Sequence, residues 1–355
     1  MRRRMLWMPG LITGGLAVLG LTIDSRAMLQ SWLAVSLTWG AIPLGAVAVL
    51  MTHDLTGGRW GAVSQPVWRA LAATMPLFAL SMLPLLLGLE TLFLWTLPES
   101  FLPEVVTKKL LYLNEPFFVG RTLFYLLVWL GLAWSQGAWS RSGRDPLYSA
   151  PGLILWVLTI TFFGFDWLMS LEPKFYSDVF GLMLCMSAAG SSMAAGILFL
   201  KGEGHDESSI DARRDIANLW LAVLLGWAFM AFSQYIIIWS GNLPDEIGWY
   251  QHRSTPVWRG VSVLSFGLFC LMPFLILLSG AAKSSRRWLV VAATACLVGH
   301  VLQMLWLVLP AFGRWQGIQY WLLPALLAST GATYAGYAYL RWTAALAHKE
   351  EGKHA

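Results

Sequence analysis

Long apolar runs, separated by short polar or aromatic segments, repeat along the whole 355-residue chain. Each run is about 20 residues long, which is the helix length that crosses the hydrocarbon core of a bilayer. A backbone in lipid must satisfy its hydrogen bonds within its own segment, and these runs are too long for barrel strands, so helices are predicted. Ten spans are predicted, at about 6–23, 28–52, 69–95, 121–139, 150–170, 177–200, 217–240, 257–280, 288–310 and 318–341.

Two halves of the chain share sequence features. Spans 3 and 7 both leave the membrane through a Trp followed by a Pro and an acid, at Trp95 to Glu99 and at Trp239 to Glu246. Spans 4 and 8 are entered through a Tyr and an Arg at the same spacing. These pairs are Tyr112 with Arg121, and Tyr250 with Arg259. Because both copies run in the same direction, the pattern indicates parallel repeats.

The predicted fold is therefore all-α, a single integral membrane domain over residues 1–355. Spans 2–5 (about 28–170) and spans 6–9 (about 177–310) form two four-helix bundles, and spans 1 and 10 flank them. Lipid is the first expected partner.

Composition supports the membrane class and excludes others. Hydrophobic residues make up 57% of the chain and charged residues 12%, whereas soluble domains carry about 25% charge. The net charge of +5 lies in loops and has no aromatic-interleaved basic stripe, so we expect no nucleic-acid partner. Roughly two thirds of the 24 Lys and Arg fall on the side of the termini, which predicts cytoplasmic termini.

Cysteine and histidine patterns limit the cofactors. The three cysteines lie in apolar runs without a CxxC motif, which argues against covalent haem and predicts no metal site. Only His300 of the six histidines falls in mid-span, too few for the paired ligands of a cytochrome b. We expect no covalently bound cofactor.

Few ionisable or amide side chains occur within the predicted spans. They are Glu90, Asp166, His300, Gln136, Gln234 and Gln303. All except Gln136 fall in one half of the membrane, a distribution typical of a half-channel or of a ligand pocket open to one side. A structural reading stays open for each: Asp166 could pair with Arg121 or Arg259, and His300 could be a hydrogen-bonded core residue.

Two segments on the non-cytoplasmic side are rich in polar and aromatic residues. The first, FFGFDWLMSLEPKFYSDVFG, covers 162–181 and connects the two predicted bundles. The second, at 232–253, ends span 7 and contains QYIIIWSGNLPDEIGWYQHR. FDWLMSLEP, YSDVFG and the second segment resemble the F subunit of bacterial alternative complex III, an NrfD-like polytopic subunit of a quinol:cytochrome c oxidoreductase.

The resemblance implies a location and partners. The chain would lie in the bacterial inner membrane and bind a quinone or quinol. Haem c and iron–sulfur clusters would be carried by partner subunits: cytochrome c subunits, a large iron–sulfur subunit and a sister NrfD-like C subunit, with a terminal oxidase as a further partner.

Site roles follow as expectations. Asp166, Glu172 and Glu90 are candidate proton-transferring acids, because burial raises a carboxyl pKa toward working pH. The candidates for a hydrogen-bonded path or quinone contact are Gln234, Tyr235, His300 and Gln303. The candidates for the mouth or a partner interface are Asp245, Glu246, Trp249, Arg253, Arg259 and Arg121. A secondary transporter and a purely structural anchor of a redox complex are the alternatives.

Overall fold

A computed structural model describes residues 7–139, 148–200, 207–313 and 317–354. Within these ranges the chain is helical and contains no strand. The helices are α1 (Met8–Ile23), α2 (Ser25–Thr56), α3 (Arg59–Ala72), α4 (Met75–Leu86), α5 (Leu89–Leu92), α6 (Glu104–Thr107), α7 (Glu115–Ser135), α8 (Ser149–Trp167), α9 (Phe180–Phe199), α10 (Glu207–Gly241), α11 (Pro244–His252), α12 (Pro256–Phe266), α13 (Met272–Leu278), α14 (Gly280–Ser284), α15 (Arg286–Val308) and α16 (Gln319–His354). A π-helical segment, Gly267–Leu271, joins α12 to α13.

Eight helical segments in the described ranges are long and apolar enough to cross a membrane. They begin at Ser25, Ser64, Glu115, Ser149, Phe180, Ile210, Pro256 and Arg286. They correspond to predicted spans 2 to 9, so the prediction of an all-α polytopic membrane protein is confirmed. The predicted first and last spans are also helical, as the 16-residue α1 and as α16.

Span boundaries differ from the predictions where local backbone chemistry overrides the apolar pattern. Predicted span 4 begins earlier, at Glu115, because Asn114 caps the helix by accepting a hydrogen bond from the Phe117 N–H and Pro116 occupies the first turn. Predicted span 3 ends at Leu86 and not near residue 95. The residues beyond it form the separate four-residue helix α5, which contains Glu90.

Helix packing closes two rings of four spans each. In the first ring α3 and α4 together form one span, and in the second ring α12 and α13 together form one span. In the first ring α2 packs on α3, α4 and α8, while α7 packs on α4 and α8. In the second ring α9 packs on α10 and α15, while α12 packs on α15 and α13 packs on α10. The rings meet along α2 and α9, the most extensive helix pair in the protein. This is the arrangement expected if the two sets of helices are repeats.

The seam between α2 and α9 depends on small residues. A Cβ atom added to Gly45 would lie 1.9 Å from the Ala188 carbonyl oxygen and 2.6 Å from the Ser192 Cβ. In lipid no hydrophobic force draws helices together, so close van der Waals packing of small side chains supplies much of their association. Gly45 therefore sets the distance between the two rings.

Tryptophan side chains add hydrogen bonds between helices. Trp32 on α2 donates to the Ser81 carbonyl at 2.7 Å, and Trp156 on α8 donates to the Leu44 carbonyl at 3.0 Å. Trp220 on α10 donates in the same way to the Gly190 carbonyl, at 3.1 Å. Each bond satisfies an indole N–H that would otherwise be unpaired in an apolar interior.

Replacing Gly45 by Ala is expected to lower the free energy of unfolding by about 1–3 kcal/mol, because the new methyl group overpacks a seam formed by backbone. Gly131→Ala on α7 is the matched control, since nothing lies within 4 Å of its added Cβ. Thermal denaturation in detergent measures both variants. Equal midpoints for the two would contradict this account of the seam.

Candidate functional site

Most predicted site residues lie at one end of the protein, where α8 ends, α9 begins and α11 connects α10 to α12. We call this the α8–α9 end. Two buried ion pairs and two cavities, of about 620 and 990 Å³, occupy it.

The first ion pair joins Asp166 on α8 to Arg121 on α7. Arg121 Nε and Nη2 donate to the two carboxylate oxygens at 2.9 and 2.8 Å, and the Tyr125 hydroxyl donates to Oδ2 at 2.9 Å. The Asp166 side chain has no exposed area. Such bidentate geometry satisfies a buried carboxylate that hydrocarbon could not solvate.

The surroundings of Arg121 complete this ion pair. Its Nη1 donates to the Tyr112 carbonyl at 3.0 Å, and its guanidinium lies 3.8 Å from the centre of the Tyr112 ring. Burial, and after it the Asp166 carboxylate, raises the pKa of Tyr112. Asp166 thus pairs with Arg121, one of the two partners that the sequence left open. Its contacts are those of a structural ion pair, and its proton-transfer role stays a prediction.

The second ion pair connects the two rings. Glu172, in the segment after α8, accepts from Arg253 Nη1 at 2.5 Å and lies 2.7 Å from His252 Nδ1. Arg253 also donates to the carbonyls of Trp306 and Leu307 at 3.1 and 2.9 Å, at the end of α15. The connection therefore joins the α8–α9 segment, α11 and α15.

Arg253 is only 3% exposed and its guanidinium lies 3.8 Å from the centre of the Trp249 ring. Burial lowers the pKa of Arg253, and the charge and hydrogen bond of Glu172 oppose that effect. On the other side of Trp249, the Phe175 ring is stacked with a centroid distance of 4.5 Å. Trp249, predicted at the mouth, is thus a buried packing residue that holds Arg253 in place.

Glu246 is buried and contacts Tyr176, which lies in the segment between α8 and α9. A hydrogen bond with the Glu246 carboxylate raises the pKa of Tyr176. The side chain of Asp245 lies outside the described residues. Arg259 is exposed and donates to the Ser254 carbonyl at 3.0 Å.

His300 and Gln303 meet Ser187 where α15 packs on α9. The Ser187 hydroxyl lies 3.3 Å from His300 Nδ1 and donates to Gln303 Oε1 at 2.9 Å. His300 Nε2 lies 3.0 Å from the Thr38 carbonyl on α2, so this cluster connects α15 to both helices of the seam.

A cavity of about 620 Å³ lies among α10, α12 and α15, with Met183 of α9. We call it the α10–α15 cavity. Its lining is mostly apolar and aromatic, with a few polar groups, as in binding sites for small ring compounds. The aromatic lining residues are Trp227, Phe232, Tyr235, Tyr250, Phe266 and Trp306, and the polar ones include Gln234, Arg253, Arg259 and Gln303.

Two donors at this cavity lack acceptors. The buried indole N–H groups of Trp227 and Trp306 have no hydrogen-bond partner within the part of the chain that the structure describes. Gln234, by contrast, accepts a hydrogen bond from the Ser177 hydroxyl at 3.0 Å. An unpaired buried donor is unfavourable, so these two indoles lower the stability of the surrounding packing.

The two rings differ in side-chain size at positions matched between α7 and the span that α12 and α13 form. When Arg121 is matched with Arg259, Tyr125 falls opposite Val263 and Trp129 opposite Gly267. In the first ring Tyr125 and Trp129 are buried and fill the interior, stacked with centroids 6.2 Å apart. The residues at the matching positions of the second ring are smaller, and one of them, Val263, lines the cavity.

Two of the polar residues predicted within spans take no part in these contacts. Glu90 was expected inside span 3, but α4 ends at Leu86, and the exposed Glu90 side chain belongs to the separate helix α5. Gln136 lies at the opposite end, as predicted. There it donates to the Ser149 hydroxyl at 3.1 Å, and Ser149 donates to Asp54 at 2.7 Å.

Sequence reasoning missed four residues that bind or position the candidate site, namely Ser177, Ser187, Trp227 and Trp306. Serines and tryptophans are frequent in membrane helices, so no local signal separates these from others.

Among the described residues, no group of three His, Cys, Asp or Glu side chains could hold a metal ion. No protein-family model and no curated protein matches the chain.

Asp166→Asn is expected to lower the free energy of unfolding by about 3–5 kcal/mol, because it leaves the Arg121 charge buried without a counter-charge. The Asp166→Leu/Arg121→Leu double variant should regain most of that loss. Chemical denaturation in detergent measures each protein.

Glu104→Gln is the control, since Glu104 pairs with Lys108 on the exposed helix α6 and the pair contributes less than about 1 kcal/mol. Equal losses for Asp166→Asn and Glu104→Gln would refute a structural role for the Asp166 pair.

Proposed function

We propose that the chain is the non-haem membrane subunit of a quinol-oxidising electron-transfer complex, and that its α10–α15 cavity binds the ring of a quinone or quinol. The observation that carries this proposal is the cavity, whose aromatic walls enclose both hydrogen-bond donors and hydrogen-bond acceptors. Gln234 and Gln303 line it with amides and Arg253 with a guanidinium. A flat ring with two oxygen atoms fits such a lining.

Access to the cavity from lipid supports the same ligand. Phe232, Tyr235 and Val263 line the cavity and are also exposed on the helix surface. A quinone carries an apolar tail and moves within the bilayer. It would enter sideways between α10 and α12.

When bound, quinol supplies two electrons and two protons. Arg253 lines the cavity and is bonded to Glu172, which also contacts the exposed ring of His252. We infer that protons leave the cavity toward the exposed His252. Glu172, which is bonded to the cavity-lining Arg253, is the acid on this path. Asp166 would then position α7 and α8 and would not transfer protons itself.

The resemblance to the F subunit of alternative complex III supplies the rest of the proposal. Haem c and iron–sulfur clusters would belong to partner subunits, and a sister NrfD-like subunit would lie beside this chain in the inner membrane. Both termini would be cytoplasmic, so the α8–α9 end would face the periplasm, where quinol releases its protons.

Purification of the native chain in mild detergent tests the partner assignment. Mass spectrometry is expected to find haem c and iron–sulfur subunits in a constant ratio to the chain, and reduced haem should be visible by absorbance. The control is a second abundant polytopic protein purified from the same membranes. Recovery of the chain alone would overturn the proposal and would favour the secondary transporter.

A further inference from the structure

The amide of Gln303 lies between the α10–α15 cavity, which it lines, and a buried hydrogen-bonded cluster. The cluster runs from Gln303 to Ser187, from Ser187 to His300, and from His300 to the main-chain carbonyl of Thr38. Its distances are 2.9, 3.3 and 3.0 Å in that order. Each group can donate or accept only certain hydrogen bonds, so the direction of the whole cluster can be worked out.

The direction starts at Thr38. A carbonyl oxygen only accepts, so the facing Nε2 of His300 must carry the proton and donate. A neutral imidazole then has an unprotonated Nδ1, which accepts from Ser187. An imidazolium could donate from both nitrogens, but His300 is 1% exposed and both of its described hydrogen-bond partners are neutral. A buried charge without a partner is strongly unfavourable, so the imidazole is neutral.

Ser187 has one hydroxyl proton. If Ser187 gives that proton to His300 Nδ1, its oxygen must accept from Gln303, and only the amide NH₂ group can donate. The structure places the Gln303 oxygen toward Ser187, but if Ser187 donates to that oxygen, Nδ1 becomes a buried acceptor without a partner. The two ends of an amide exchange by a half-turn, so both placements occupy the same space. The arrangement that satisfies every group turns the Gln303 nitrogen toward Ser187.

We propose that Gln303 presents its amide carbonyl oxygen to the α10–α15 cavity and thereby selects a ligand that donates a hydrogen bond. A ring hydroxyl, as in a quinol, satisfies this oxygen, whereas the carbonyl of a quinone meets it as a second acceptor. This inference rests on the proposed function, and it makes Gln303 the specificity-determining residue for the reduced ligand.

Binding of three matched ligands to the purified full chain tests this inference. The ligands are a decyl-substituted benzoquinone, its quinol and the dimethyl ether of that quinol, titrated anaerobically by calorimetry. The dimethyl ether keeps the ring oxygens but has no hydroxyl proton. We expect the quinol to bind about tenfold more tightly than the other two, the difference that one hydrogen bond supplies.

Variants locate the effect. Gln303→Leu keeps the side-chain size and should bring the three dissociation constants to within about twofold of one another. Ser187→Ala frees the amide to turn, so the quinol preference should fall while the quinone is still bound. Ser191→Ala is the matched control, because Ser191 is also buried on α9 but donates to the Ser187 main-chain carbonyl at 2.8 Å. It should keep the tenfold preference.

The outcomes are distinct. Equal binding of all three ligands to the wild-type chain, or tighter binding of the quinone, would overturn the orientation of Gln303 and leave the cavity as a quinone site. Binding of none of them would overturn the proposed function itself. Because the wild-type ligand series needs no variant, a Ser187 or Gln303 variant that fails to fold does not decide the result.

Discussion

The ion pair between Glu172 and Arg253 is the interaction on which the α8–α9 end depends. A buried guanidinium is tolerable only when it is well paired, and Arg253 donates one hydrogen bond to a carboxylate and three to main-chain carbonyls. These partners come from the segment after α8, from α11 and from the end of α15. One charge thereby fixes three parts of the chain relative to one another and forms one wall of the cavity.

The two rings use their polar residues differently. In the first ring Asp166 and Arg121 neutralise each other, and large aromatic side chains fill the remaining space. In the second ring, smaller residues such as Gly267 occupy the matching positions, and the space is lined by amides and indoles. The buried Asp166 carboxylate of the first ring is thus bonded to Arg121 and Tyr125, whereas the second ring contains the α10–α15 cavity.

Much of the fold follows from sequence because apolar length is a local property. Spans 2 to 9 were predicted, and pairing of Asp166 with Arg121 or Arg259 was one of the readings that the sequence left open. Glu90 was misplaced because the apolar residues on both sides of Gly88 give one continuous run, whereas the helix ends at Leu86. The cavity could not be predicted, since it arises from side-chain sizes on helices far apart in sequence. The contact of His300 with Thr38 is equally non-local.

The measurement that tests the central claim most directly is the binding of a decyl-substituted benzoquinone to a chain whose cavity has been filled. Ala231 lines the cavity on α10, and Ala231→Trp should weaken binding at least tenfold by occupying the space of the ring. Leu127→Trp, on the exposed face of α7, should bind like the wild type. Unchanged binding by Ala231→Trp, with the fold intact, would contradict the claim that this cavity is the ligand site.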